Sequence, residues 1–352
     1  MTFKQYSEKS RDLIKENLLH FCNEKKKQEL PKIFKDQGLI DALESFAIRG
    51  KLIRGTLFLL ISEALGRSIN KELLDMACAI ELMHSALLIQ DDIIDNDYIR
   101  RGDKTIFAKY EGDGKKIGAF DSYHYGISSA IVVADIAYFF AVELLSSYEN
   151  PQLSKLLKFY SHEVYLVVLA ESADSVFGQT NMEPSKEDIY SVYKYKTARY
   201  TFSLPFGMAA IVSQTKVETC NILDKLGELS GIIFQLKDDE IGLFGEEETI
   251  GKPVGSDIRE NKKTIIRFLL YKHANGKDKK ILDRCFGNAK SGKRELELVR
   301  EIYEKNEIHT YINEEIGIIM KEVWELFKKL EIRNEFKQIL KELLEFNLSR
   351  SS

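Results

Sequence analysis

ELMHSALLIQDDIIDNDYIRRG, residues 81 to 102, opens as an apolar helix and closes in acid. Upstream and within it, Leu73, Leu74, Ala77, Ile80, Glu81, His84, Leu87 and Leu88 fall broadly on one side of a helix running into Asp91. Asp91 and Asp95 are four residues apart, which puts both carboxylates on one helical face with Cβ atoms about 5–6 Å apart. Adjacent carboxylates at the C-terminal end of a helix repel each other and oppose its dipole. A chain that keeps Asp91, Asp92 and Asp95 there is expected to neutralise them with a cation. Hard oxygen ligands in small number suit Mg²⁺, which keeps several waters and takes phosphate oxygens at its remaining positions. On this segment alone, a plain solvated acidic helix end stays open.

Outward from that helix, apolar residues recur at helical spacing and strict two-residue alternation is hard to find. Candidate helices cover about 4–27, 40–66, 73–91, 129–148, 152–176, 186–213, 217–242, 263–274, 296–307, 310–330 and 333–349. Of the five prolines none falls between Pro31 and Pro151, which suits helices. Glu111–Tyr125, Gly242–Lys263 and the basic Asn275–Arg294 read as loops from their glycines and charges. No linker and no fixed-period repeat is visible. The pattern predicts an all-α, single-domain bundle of ten or more helices over residues 1–352, with the helices of 296–349 part of the same domain.

Hydrophobic residues at 44% and charged residues at 30% describe a water-facing globular chain. A net charge of −4 without a basic tract gives nucleic acid no electrostatic footprint. Cys22, Cys78, Cys220 and Cys285 are scattered and form no metal-type pair, as expected of small buried residues in a reducing compartment. The N-terminal segment has no signal-type apolar region. Runs such as Ile127–Val142, interrupted by Ser128, Ser129 and Asp135, are read as too short to span a bilayer. A cytoplasmic protein without a membrane span is expected.

A second acidic cluster changes the weight of the first. Phe234, Gln235, Leu236, Lys237, Asp238 and Asp239 again close an apolar helix, and GKPVGSDIRENKKT, residues 251–264, follows. Two such helices facing one another would make a carboxylate-lined mouth over an apolar cavity. Lys51 and Arg54 in RGKLIRG, Arg100 and Arg101 after the first cluster, and Lys196–Thr197 in YKYKTARYTFSLP could neutralise phosphates. Each basic residue alone reads as surface charge. Their joint occurrence with both acid clusters is the signal.

These motifs, in this order, resemble those of the trans-type polyprenyl diphosphate synthases, of the geranylgeranyl type, over about residues 40–270. KLIR is similar to the family's GKxxR element, residues 81–102 to its first aspartate-rich motif, KTARYTFSLP to its KT element, and FQLKDD with GKPVGSDIRENK to its second motif and basic loop. The resemblance implies an isoprenoid synthase fold and a homodimer that condenses isopentenyl diphosphate with an allylic diphosphate. It implies three Mg²⁺ ions, two bound by Asp91 and Asp95 and one by Asp238, with Asp92 and Asp239 in support. Arg100, Lys196 and Lys252 would hold the allylic diphosphate, and Lys262 would close over it. Lys51, Arg54, His84, Arg101 and the Gly50 backbone would bind isopentenyl diphosphate. Thr197 and Gln235 would face the developing allylic cation, with Phe234 beside the substrate.

The chain departs from the family pattern at several places. Gly242 stands where the last aspartate of the second motif is usual, Arg49 replaces a glycine, Gly55 replaces a proline, and Met182 sits where an aspartate is common. The fourth and fifth residues before Asp91, Leu87 and Ala86, would lie about 6–7.5 Å deeper along the growing chain's path. Ala86 leaves room where a bulky aromatic would stop growth, and Met83 would form the next floor. A product of C20 or longer is expected, with geranylgeranyl diphosphate favoured. A class I terpene cyclase needs no isopentenyl site and usually carries an NSE/DTE-type motif, not found here. A non-catalytic partner subunit tends to lose the aspartates that this chain keeps.

Overall fold

The computed structural model describes residues 1–35, 38–148, 151–245 and 255–349. Among them the chain is helical apart from one two-stranded hairpin, as the periodicity predicts. The contacts divide it into two compact units. One comprises Met1–Lys158, Met208–Gln214 and Ile332–Leu340, the other Phe159–Gly207, Thr215–Glu331 and Lys341–Ser352.

The first unit holds α1 (Phe3–Lys27), α2 (Lys32–Lys35), α3 (Leu39–Ala47), α4 (Ile53–Ala64), α5 (Lys71–Ile94), β1 (Ile99–Arg100), β2 (Asp103–Lys104), α6 (Ile106–Ile117) and α7 (Ser122–Ser146). The expected helix over 40–66 is two helices, because Leu52 at φ 49° breaks the chain before α4. That break presents Gly50 and Lys51. Asn70 caps α5, accepting the Leu73 N–H at 3.0 Å. Its other end stops at Asp95, after which Asn96 turns left-handed at φ 55°. A two-residue turn with positive φ at both Arg101 (55°) and Gly102 (74°) then joins β1 to β2, with Arg100 opposite Asp103. Such turns match the natural twist of a hairpin.

The core of this unit lies along α5, on which α4 and α7 both pack. Leu57, Leu59, Leu60, Leu73, Met76, Ile80, Val133 and Leu145 are fully buried, each leucine or isoleucine contributing roughly 1.5–3 kcal/mol. Small residues set the spacings. A Cβ on Gly126 would lie 2.6 Å from the Phe107 carbonyl oxygen, and one on Gly114 would lie 2.9 Å from Tyr125. Those contacts correct the expected Glu111–Tyr125 loop. Gly112 and Gly114 lie inside α6, and Gly118 ends it left-handed at φ 74°. The glycines serve close packing as well as turning. A second correction concerns α7, which is long and apolar enough, by length and composition alone, to cross a membrane. Ala130, Ala134, Ala137 and Ala141 on it are nonetheless buried, while Ile131, Val132, Phe139 and Val142 are exposed.

The second unit is built on α9 (Lys186–Val192), a π-helical segment (Tyr193–Ser203), α11 (Val217–Phe244), α12 (Ser256–Arg259), α13 (Ile265–His273), α14 (Gly276–Cys285), α15 (Lys293–Lys305) and α16 (Ile308–Lys329). α8 (Leu153–Gln179), α10 (Leu204–Val212) and α17 (Asn334–Ser349) have residues in both units. Half of the expected loop Asn275–Arg294 is α14, and Lys293 and Arg294 open α15. Asn275 accepts the N–H groups of Lys277 and Asp278 at 2.9 and 3.0 Å, so the Asn-Gly pair starts a helix rather than a turn. Buried Ile308, Ile312, Ile316, Met320 and Val323 give α16 its apolar stripe. Cys22, Cys78 and Cys285 are buried, and burial pushes the Cys78 thiol up to about 12.

Candidate active site

In the second unit, four residues of α11 at four-residue spacing explain how the site is assembled. Gly227, Gly231, Gln235 and Asp239 share one face. The glycines bring that face against the π-helical segment. A Cβ on Gly227 would lie 2.8 Å from the Ser203 nitrogen, and one on Gly231 would lie 2.6 Å from Ala198 Cβ. Two turns further on, Asp239 meets the Tyr193 hydroxyl of that segment, and Gln235 between them lines one cavity with Lys196 and Thr197. π-Helical turns are rare and recur at functional sites. Arg199 pins this one, donating to Glu163 at 2.6 Å and to Asp224 at 3.0 Å.

The result is a cavity of about 140 Å³ lined by Lys196, Thr197, Gln235, Asp238, Asp239, Asp257, Lys262 and Lys263, with Asp174 and Tyr193 among its other walls. Lys196 is held by Asp174 at 2.6 Å and by Glu171 at 3.0 Å. Lys262 lies 3.8 Å from Asp174. Asp239 is buried, accepting from Gln235 Nε2 at 2.8 Å and from the Tyr193 hydroxyl. Tyr193 in turn accepts the Ile265 N–H at 2.8 Å. Burial, with Asp257 and Asp238 adding repulsion, pushes the Asp239 carboxyl well above its ordinary range against the lowering from Tyr193 and Gln235.

That repulsion is the test of a metal's fit. Among the described residues no three His, Cys, Asp or Glu side chains form a ready metal cage. Mg²⁺ does not require one, since one or two carboxylates with water and phosphate oxygens complete its shell. Asp238, Asp239 and Asp257 on one cavity, beside lysines suited to phosphate, are a donor set that fits it.

In the first unit, Arg100 reaches back from the hairpin to the end of α5, donating to Asp91 at 2.7 Å and to Asp92. Asp91 and Asp92 outweigh the cost of burying the Arg100 guanidinium and raise its pKa. Asp95 is the C-cap of α5. Around His84 the charge is positive. Burial first, then Arg54, Arg101 and Arg100, hold its imidazole well below its ordinary value and neutral. A Cβ on Gly50 would come within 3.0 Å of Arg101 Nη1, so glycine leaves the guanidinium room. Lys51 is exposed nearby in sequence. A crowd of like charges is what an anionic ligand relieves.

Two departures from the family pattern acquire reasons here. Gly55 donates its N–H to buried Glu81 Oε1 at 2.7 Å, which a proline could not do. Arg49 pairs with Asp103 and donates to the Ser45 carbonyl at 2.9 Å. Of the expected site residues, the cavity gathers Lys196, Thr197, Gln235, Asp238, Asp239 and Lys262. Phe234 packs edge-on against Phe202 at 5.8 Å and is absent from that lining. Lys252 lies outside the described residues. Met83 and Ala86 are buried in the first unit and Leu87 is partly so. The cavity also holds Tyr193, Asp174 and Asp257, which are not among the expected site residues. Asp257 stood within the quoted basic loop and Tyr193 three residues before Lys196, whereas Asp174 carried no motif signal.

This helical fold, with acid-ended helices and a lysine-lined cavity, is that of an isoprenoid synthase. The chain belongs to the Polyprenyl synthetase family, which it matches over residues 36–305. A short chain isoprenyl diphosphate synthase of Methanocaldococcus jannaschii is 32% identical over 292 residues, covering 82% of this chain and 83% of that protein. A geranylgeranyl diphosphate synthase of Saccharolobus solfataricus is 29% identical over 263 residues, 75% of each chain. The structure of a geranylgeranyl pyrophosphate synthase from Corynebacterium glutamicum, complexed with isoprenyl diphosphate and magnesium, matches with a TM-score of 0.90 at 24% identity. It covers 99% of this chain and 100% of that one, and bears on the fold alone.

Proposed function

We propose that the chain is a prenyltransferase that joins isopentenyl diphosphate to an allylic diphosphate, releasing diphosphate and a proton and leaving a trans-prenyl diphosphate of C20 or longer. One observation carries this: a single cavity of a polyprenyl synthetase family member brings together Lys196, Thr197, Gln235, Asp238, Asp239 and Lys262. Asp91, Asp92, Asp95, Asp238 and Asp239 would hold the Mg²⁺ ions, three in the full reading, which supply electrophilic pull on the allylic diphosphate oxygens. Assigning both acid clusters to one diphosphate rests on the family match, whose span includes both.

Lys196, Lys262 and Arg100 neutralise the departing diphosphate as its C–O bond ionises, and Lys252 joins them in the family reading. Thr197 and Gln235 offer oxygen dipoles to the allylic cation. Arg54, Arg101, Lys51 and the Gly50 backbone take isopentenyl diphosphate, with neutral His84 as a hydrogen-bonding partner. Its double bond attacks the cation and the leaving diphosphate accepts the proton. Exclusion of water protects the cation from quenching. Geranylgeranyl diphosphate is the favoured product, because Ala86 is small where a larger side chain would close the path.

One domain comprising all 352 residues and a homodimer complete the reading. Helices α8, α10 and α17, each with residues in both units, support the first. The exposed Ile131, Val132, Phe139 and Val142 of α7 support the second. That apolar face is assigned to a second copy rather than to lipid, consistent with a cytoplasmic location. The purified chain, given Mg²⁺, labelled isopentenyl diphosphate and dimethylallyl, geranyl or farnesyl diphosphate, should extend the allylic starter, with product length read by mass. Silence with every starter would point instead to a regulatory subunit.

A further inference from the structure

We propose that Tyr193 is a positioning residue for the second acid cluster, its hydroxyl holding Asp239 in place and tying it to the start of α13, where the basic segment ends. The inference rests on the magnesium reading of that cluster.

Tyr193 is buried, opens the π-helical segment and lines the cavity with Lys196, three residues further on. Its hydroxyl has one proton to give. The Ile265 N–H, 2.8 Å away, can only donate to it, so that proton is committed to Asp239. A hydroxyl that accepts one hydrogen bond is polarised to donate the next more strongly. Tyr193 donates to Oδ2 of Asp239, and Gln235 Nε2 donates to Oδ1 at 2.8 Å. Each carboxylate oxygen is thus oriented by one donor and keeps a lone pair for water or metal. Asp238 and Asp257 line the same cavity, so like-charge repulsion acts against the position in which Asp239 is held.

The accepting side of the hydroxyl reaches another part of the site. Ile265 is the first residue of α13, whose leading N–H groups have no acceptor within the helix. Thr264 caps that helix by accepting the Arg267 N–H at 3.2 Å, and Tyr193 takes the N–H of Ile265. Lys262, Lys263 and Thr264, directly before it, all line the cavity. One hydroxyl therefore joins three stretches of chain: the π-helical segment with Lys196 and Thr197, the acid end of α11, and the basic residues leading into α13. Tyr190 on α9 offers a comparison within the same unit. Its hydroxyl donates to Glu315 at 2.7 Å, and it is absent from the cavity lining.

The test counts Mn²⁺ bound to the full-length chain in the presence of methylenediphosphonate, using the EPR signal of free Mn²⁺, with a thermal melt beside it. Tyr193→Phe keeps the ring and removes the hydroxyl. It should weaken by about tenfold the Mn²⁺ binding that Asp238→Asn also weakens, as loss of an outer-shell partner does. Tyr190→Phe loses a comparable hydrogen bond and should leave Mn²⁺ affinity at its native value, whatever its effect on the melt. In an Asp239→Asn background, Tyr193→Phe should cause no further loss, because the hydroxyl acts through that carboxylate. Unchanged affinity in Tyr193→Phe, with loss in Asp238→Asn, would overturn the inference and leave the magnesium reading standing. So would an equal loss in Tyr190→Phe, or a full further loss in the Asp239→Asn background. Unchanged affinity in both Tyr193→Phe and Asp238→Asn would overturn the two together.

Discussion

Adding one methyl group at Gly231 tests the assembly of the cavity more directly than removing any charged residue. The methyl of Gly231→Ala would lie 2.6 Å from Ala198 Cβ and 2.9 Å from the Ala198 carbonyl carbon. Ala198 Cα is nearer still to that methyl, and comfortable carbon contacts are about 3.5–4.0 Å, so the π-helical segment must retreat by about 1–1.5 Å. Overpacking of this kind costs about 1–3 kcal/mol, and the better helix propensity of alanine returns up to about 1 kcal/mol. The net expectation is about 1–2 kcal/mol of lost stability, a fall in Tm of a few degrees. Activity should suffer more than stability. Ala198 directly follows Lys196–Thr197, and about 1 Å of misplacement of substrate-positioning groups can cost about 100-fold in rate. The assay is kcat/KM for isopentenyl diphosphate beside a thermal melt, with Gly317→Ala as control. Gly317 lies within α16 with nothing inside 4 Å of its would-be Cβ, so that change should stabilise by about 0.5–1 kcal/mol. If Gly231→Ala melted like Gly317→Ala and kept native turnover, the close approach of α11 to the π-helical segment would not govern the site.

Gly55→Pro should destabilise by about 1–3 kcal/mol although proline is the usual family residue. It removes the N–H that Glu81 accepts and sets a Cβ 2.9 Å from Ile14 Cδ1, and an unchanged denaturant midpoint would count against this. Burial raises the Glu81 pKa above its unfolded value of 4.5, so its ionisation favours the unfolded chain. Its unfavourable effect is absent below pH 4.5 and grows as pH rises through the folded value. Glu81→Gln should therefore gain stability relative to the native chain as pH is raised from about 4.5 towards neutrality, and a Tm difference flat across that window would refute the assignment. Ala86→Phe should shorten the product by at least one isoprene unit, seen by chromatography; an unchanged distribution from a folded variant would displace the chain-length wall.

The helical fold was legible because burial of one face imposes its period on the sequence. α1, α11, α15, α16 and α17 lie within a few residues of their expected bounds. The two expected loops that prove helical share a cause. Gly112, Gly114 and Gly276 were read as loop formers, yet Gly112 and Gly114 lie within α6 and Gly276 opens α14. Gly114 is there for close packing, so glycine alone does not separate a bend from a contact. The π-helical segment has no sequence mark of its own, and the glycines that pack closely on it, Gly227 and Gly231, lie on another helix. Within the site, residues in ordered motifs were legible. Asp257 and Tyr193 line the cavity without a sequence signal that separates them from their neighbours.

The same electrostatic arrangement recurs in each unit and bears on how the proposed reaction can be reversible in its binding steps. Arg100 sits on Asp91 and Asp92, and Lys196 sits on Glu171 and Asp174. In each case a cation assigned to the allylic diphosphate is paired with acid beforehand. Isolated burial of either charge would cost several kcal/mol, so pairing is what allows both to remain in a poorly solvated place. On the proposed reading, a diphosphate would exchange partners with these groups rather than create or destroy buried charge. Lys196 and Arg100 would then turn from carboxylate to phosphate oxygens, leaving Asp91 and Asp92 to hold metal. The driving force for binding is thus a difference between two sets of strong contacts. On that reading, removing an acid partner of Arg100 or of Lys196 would shift diphosphate affinity.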